Sequence, residues 1–184
     1  TDSIKEAQRN WIGRSEGASV TFGVDGHAES KIDVFTTRPD TIYGVSFMVL
    51  APEHPLVEVV TTTDQAQAIQ AYQELASRKS ERDRQGAGEK NITGCDTGGF
   101  ALHPITGAKV PIWIADYVLA GYGTGAVMAV PSGDERDWRF AQHFGLPIPA
   151  IFQGHNVHDA VCTDKNAILT NSESLSGFNA SEAI

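Results

Sequence analysis

Two short stretches hold most of the residues whose types and spacing could do chemistry. One is Thr36-Thr37-Arg38-Pro39-Asp40-Thr41, and the other runs from Tyr122 to Asp137 as Tyr-Gly-Thr-Gly-Ala-Val-Met-Ala-Val-Pro-Ser-Gly-Asp-Glu-Arg-Asp. In the first, hydroxyls stand beside a chain reversal, and backbone N–H groups left free at a helix start suit a carbonyl, ribose or phosphate oxygen. The plain alternative is that the threonines only cap a helix. In the second, Asp137 stands out. Phe140, Ala141 and Phe144 follow it at three, four and seven positions, so it lies on the face a helix should bury. A buried carboxylate needs a partner. Either an arginine of the chain pairs with it, Arg38 being a candidate, or a ligand cation does.

These groups are positioned by elements that can be read from the pattern. Lys31 to Thr36 alternates as a strand, with Ile32, Val34 and Thr36 on one face. Pro39 moves Arg38 out of helical space and suits a first helical turn, so a strand-to-helix corner is expected, with Thr37-x-x-Asp40 as a capping box. A short helical turn from Pro39 to Tyr43 should end at Gly44, before a buried strand from Val45 to Leu50. Further on, a strand from Ala126 to Val130 leads through Pro131 into a helix for which Ser132-x-x-Glu135 reads as a capping box.

Elsewhere the chain predicts short strands, a hairpin with its turn at Gly107, and an amphipathic helix over residues 63–78. That helix places Ala66, Ile69, Tyr72, Leu75 and Ala76 on one face, and its expected role is to cover the core. The charged segment after it predicts a mobile loop over 79–93. Gly121-Tyr-Gly123-Thr-Gly125 is followed by a strand where a dinucleotide site needs a helix. His155, His158 and Asp159 have ligand chemistry without helical spacing and read as a surface loop. Asp134 and Asp137 could hold magnesium, although capping already accounts for Asp134.

At 184 residues, with 41% hydrophobic and 20% charged positions, the chain suits a single domain, 1–184, with one sizeable core. No apolar run approaches the ~20 residues of a membrane span, and neither a membrane span nor a signal peptide is expected. The two cysteines, Cys95 and Cys162, lack a paired spacing, so free thiols in a cytoplasmic setting are expected rather than zinc or disulfides. The formal net charge is -9, whereas a protein that grips nucleic acid unaided is usually basic.

With these residues in view, the chain resembles the editing domain of bacterial-type leucyl-tRNA synthetase, the connective-polypeptide insertion of that enzyme. The resemblance runs from Gln8 through Gly17, the Thr36 to Thr41 motif, Val110 to Leu119 and Tyr122 to Asp137, and on to Ile168–Asn171 and Asn179–Ala183. Threonine-rich corners also occur in isoleucine and valine editing domains, while the Trp113 to Tyr117 block and the placing of Arg136-Asp137 after Val130-Pro131 look leucyl. One departure is Ser132-Gly133-Asp134, where the family usually has Gly-His-Asp. The His-Ile-Gly-His and Lys-Met-Ser-Lys-Ser signatures of a class I synthetase are absent from the sequence, so the chain reads as an excised domain without aminoacylation activity.

The resemblance implies an α+β fold, a β-barrel-like core of short strands with peripheral helices. It implies post-transfer editing, in which norvaline, isoleucine or methionine is cleaved from leucine tRNA. Asp137 would bind the substrate ammonium, with Thr36 and Thr37 orienting the ester and the water. Thr41 would crowd out leucine, Met128 and Val130 would line the side-chain pocket, and Tyr122 would lie near the terminal adenosine. Arg38 and Asp40 complete the expected substrate-binding set, Arg38 touching tRNA or supporting Asp137. No cofactor is expected, and no Ser-His-Asp set or reactive cysteine is visible. The expected partner is the 3′ end of tRNA, most of whose affinity comes from the rest of the synthetase, and aminoacyl-adenosine analogues should bind. The fragment itself should be a monomer. Two alternatives are an isoleucine or valine editing domain and a catalytically silent module that positions the tRNA end.

Overall fold

The computed structural model describes residues 16–84 and 91–184. Its centre is a six-stranded sheet, built from β1 (Ala18–Val24), β2 (His27–Thr36), β3 (Phe47–Leu50), β4 (Cys95–Leu102), β5 (Lys109–Ile114) and β6 (Ala126–Ala129). The strand order is β2-β1-β4-β5-β3-β6, and the two edge strands, β2 and β6, come back into contact, so the sheet curls into a nearly closed barrel. Helices α1 (Leu56–Val60), α2 (Ala66–Ser77) and α3 (Glu135–Phe144) and the 3-10 turns Pro39–Gly44 and Glu173–Leu175 accompany it. This is the expected α+β architecture.

Alternation explains the inner face. In β2 Ile32 and Val34 are buried while Asp33 and Phe35 face outward. β3 is buried on both faces: Met48 and Leu50 join the barrel interior, and Phe47 and Val49 join a second cluster under α3. The ring of Phe140 stacks on Phe47 with centroids 5.2 Å apart, which fixes α3 against the sheet one turn beyond Asp137. Stacked aromatic pairs of this kind add about 0.5–1.5 kcal/mol to the area they bury. Gly145, at φ 68°, ends the helix in the left-handed conformation that glycine adopts without strain.

Two capping expectations are corrected. Helix α3 is capped by Asp134 rather than Ser132: Asp134 accepts from the N–H groups of Arg136 and Asp137, so the helix starts two residues later than the Ser132 box requires. The Thr37-x-x-Asp40 box does not form, because the turn is 3-10 and its side chains bond differently. Thr36 Oγ1 accepts from Arg38 N–H at 3.0 Å, and Thr41 Oγ1 donates to the Arg38 carbonyl at 2.9 Å. His103 supports this turn from below. Its Nδ1 faces the N–H groups of Ile105 and Thr106, which leaves Nε2 as the donor to the Ile42 carbonyl at 3.0 Å.

The segment expected to be mobile over 79–93 is held at both described ends. Arg84 is buried and donates to the carbonyls of Asp116 and Val118 and to the Glu53 carboxylate, Lys79 pairs with Asp116, and Thr93 donates to the same carboxylate. Residues 85–90 lie outside the described residues. Helix α2 buries Ile69 and Ala76, but Leu75, expected on the covered face, is 58% exposed. The helix reaches the 116–118 turn chiefly through its Tyr72 hydroxyl, which accepts from Asp116 N–H.

Candidate active site

The barrel seam creates the site. The C-terminal end of β2 and the 3-10 turn bring Thr36, Thr37, Arg38 and Thr41 to one wall of a cleft. β6, the loop after it and α3 supply Met128, Val130, Gly133, Asp134 and Asp137. The cleft encloses about 190 Å³.

Asp137 is buried as its place on α3 predicts, and its Oδ2 accepts from Val130 N–H at 2.8 Å. Among the described residues no cation reaches it at ion-pair distance. Burial, and next the neighbouring Asp134 charge, push its carboxyl up to about 8, against smaller opposing effects of the Val130 N–H, Arg136 and Tyr117. Arg38 does not neutralise it. The Arg38 guanidinium is bound by both nitrogens to Asp40, Nε to Oδ1 at 2.9 Å and Nη2 to Oδ2 at 2.7 Å, and this hydrogen-bonded carboxylate is the main reason its pKa is raised. Asp40 is fully buried beneath that pair and does not line the cleft. Sequence spacing misses the pairing because residues two apart do not face each other on a regular helix, whereas a tight 3-10 turn after Pro39 lets them meet.

Thr36, Thr37, Arg38, Thr41, Met128, Val130 and Asp137 are therefore brought together as expected, and Asp40 and Tyr122 are not. Tyr122 is 84% exposed and lines a neighbouring hollow with Tyr117, Val118, Leu119, Val127 and Arg136. Gly133 and Asp134 line the cleft without having been assigned there, since a glycine and a cap residue carry no site signal by themselves. Among the described residues no three His, Cys, Asp or Glu side chains gather as a metal site.

The model of the family described as leucyl-tRNA synthetase, editing domain, matches residues 9–184. This chain belongs to that family. Over its full length the editing domain is 56% identical to a leucine–tRNA ligase of Christiangramia forsetii, of which it spans 19%. It also superposes, at a TM-score of 0.68 and 36% identity over 89% of its length, on a crystal structure of an Agrobacterium radiobacter K84 LeuRS in a ternary complex with tRNA and LeuAMS. The editing domain covers 19% of that chain too.

The protonation of Asp137 makes the domain's stability fall with pH in a definite window. Its folded-state value near 8 lies above the ordinary 3.8, so between these limits the folded chain holds a proton that the unfolded chain has released. Stability from this group is complete below about 4, declines as pH rises, and is lost once pH passes about 8. Asp137→Asn keeps an acceptor for Val130 N–H and removes the titration. Thermal melts of the editing domain should show the variant and the parent matched near pH 4, with the variant increasingly more stable toward pH 9. A constant difference across that range would exclude a buried titration at this position.

Proposed function

We propose that the domain hydrolyses the ester joining a noncognate amino acid to the 3′-terminal adenosine of leucine tRNA. The observation that carries this reading is the buried, cleft-lining Asp137 carboxylate, to which no cation of the described residues is paired, opposite a threonine corner. Burying an unpaired carboxylate is costly, and a substrate α-ammonium supplies the missing charge where it also places the acyl carbon beside the corner.

In this reading the ammonium docks on Asp137 and the aliphatic side chain lies against Met128 and Val130. Thr36, Thr37 and the backbone of the turn orient the carbonyl and a water. The water oxygen bonds to the acyl carbon and the carbon–ribose oxygen bond breaks. That ribose oxygen takes a proton, releasing free amino acid and tRNA. Water attack by positioning, with help from threonine and ribose hydroxyls, needs no protein nucleophile. Thr41 keeps leucine out, and the adenosine rests outside the small cleft. A second site of this kind is required because a synthetic pocket separates side chains differing by one methylene by only ~1–3 kcal/mol.

The test is deacylation of leucine tRNA carrying norvaline, isoleucine, methionine or leucine by the complete synthetase and by this domain alone. The complete enzyme should clear the first three and spare leucine. The acidic domain should be far slower at subsaturating tRNA, since phosphate contacts supply most nucleic-acid affinity. Aminoacyl-adenosine esters should narrow that gap. A complete enzyme that clears none of the four would make this a module that only positions the tRNA end.

A further inference from the structure

The Asp137 carboxylate has a neighbour that the proposed reaction does not use. Tyr117 follows β5, and its hydroxyl is buried with no partner at hydrogen-bond geometry. The ring is held on two sides by residues of the helix that carries Asp137: the Arg136 guanidinium lies 5.2 Å from its centroid, and Phe140 meets it edge-on at 6.0 Å. Tyr117 does not line the cleft that Asp137 lines, and faces a neighbouring hollow instead.

The backbone around Tyr117 is unusually constrained. Arg84 straddles it, with Nε donating to the carbonyl of Asp116 at 2.7 Å and Nη2 to that of Val118 at 2.9 Å. Asp116 N–H donates to the Tyr72 hydroxyl at 3.0 Å, and the Asp116 side chain accepts from Lys79 and Thr93. Groups from three separate segments thus fix one turn whose central side chain packs against Arg136 and Phe140, on either side of Asp137 along α3. A buried hydroxyl without a partner is costly, and an ionised carboxylate is the strongest acceptor it could be given.

We propose that Tyr117 is a positioning residue for this domain's reaction, its hydroxyl donating to Asp137 when that carboxylate is charged and so holding it in the form and orientation that receives the substrate ammonium. The proposal rests on the proposed function. The other charged and titratable groups facing this pair are Asp134 and Arg136 on α3 and Tyr72 on α2, while Arg38 across the cleft is already neutralised by Asp40. Burial, then Asp137 itself, raises the Tyr117 hydroxyl well above its usual value, keeping its proton in place to be donated.

The experiment is the pH profile of kcat/KM for norvalyl-tRNA deacylation by the complete synthetase, from pH 5.5 to 9, for the parent, Tyr117→Phe and Asp137→Asn enzymes. One hydrogen bond to a charged group shifts an ionisation by about one to two pH units. The Tyr117→Phe enzyme should therefore run roughly 10- to 100-fold slower below pH 7, with the gap narrowing toward pH 9 as Asp137 ionises in the parent and then in the variant; ionisation of the substrate amine is common to both and cancels in the ratio. A loss equal at every pH, or no loss, overturns the proposal. An active Asp137→Asn enzyme instead overturns the role of Asp137 from which it starts. Leucine-dependent pyrophosphate exchange, performed elsewhere in the synthetase, checks that each variant is intact. Should Tyr117→Phe fail to fold, difluorotyrosine in place of Tyr117 is the second variant. As a stronger donor it should move the profile to lower pH, and an unmoved profile overturns the proposal.

Discussion

Asp137→Ala in the complete synthetase is expected to lower kcat/KM for norvalyl-tRNA deacylation by roughly 30- to 5,000-fold. That range corresponds to the ~2–5 kcal/mol lost when one member of a desolvated charge pair is removed. The fold should survive. Among the described residues the carboxylate's one hydrogen bond in the structure is the 2.8 Å contact with Val130 N–H, and its burial works against the folded state at neutral pH. Lost activity without lost stability is the pattern of a group retained for its ligand. Single-turnover deacylation together with thermal melts decides the matter. A variant that melts early while its folded fraction keeps the parental rate would make Asp137 a structural residue.

Thr41→Ala is expected to produce the opposite change, a gained activity against correctly charged leucyl-tRNA. Thr41 is nearly buried in the cleft wall, and its hydroxyl donates to the Arg38 carbonyl at 2.9 Å, which locks a side chain already stiff through β-branching. Under the proposed function, a fixed obstacle would exclude leucine by collision, whereas attraction could not separate side chains so alike. Removing it should raise leucyl-tRNA hydrolysis by roughly 10- to 200-fold, the limit of what a methyl-sized change discriminates. The turn tolerates the change because Thr41 N–H still donates to the same carbonyl at 3.2 Å. Leucine release is the readout, with norvaline clearance as the control. Unchanged leucine release with intact norvaline clearance would reduce Thr41 to a turn residue.

Much of the site was legible because two periodicities met there. Alternation along β2 placed Thr36 at a strand end, and helical spacing after Pro131 put Asp137 on the buried face beside Phe140 and Ala141. The Arg38–Asp40 pair was hidden by the local winding of the turn. Arg84 was hidden by its neighbours, since within a charged run nothing marks the one guanidinium that leaves solvent to bind two carbonyls. The last 35 residues carry no periodic signal, yet Ile151, Phe152, Leu169 and Ala180 join the main core through isolated bridges and turns. Their contribution reaches the cleft. A Cβ on Gly44 would sit 2.7 Å from Ile151 and 3.0 Å from Val130, so the end of the threonine turn, a cleft wall and the C-terminal segment are packed at one point.

The strand order sets when this site can come into being during folding. β2 and β6 are the two ends of the sheet, about ninety residues apart in the chain, and among the described residues no ladder joins them. The hairpin of β1 and β2 is local in the chain, whereas its threonine end reaches Met128, Val130 and Asp137 across a sheet whose order passes through β4, β5, β3 and β6. Closing so long a loop before any reward is slow. Under the proposed function, a chain still emerging from the ribosome, or one trapped with β6 detached, would hold both halves of the cleft without cleaving an ester, and hydrolysis would report completion of the barrel.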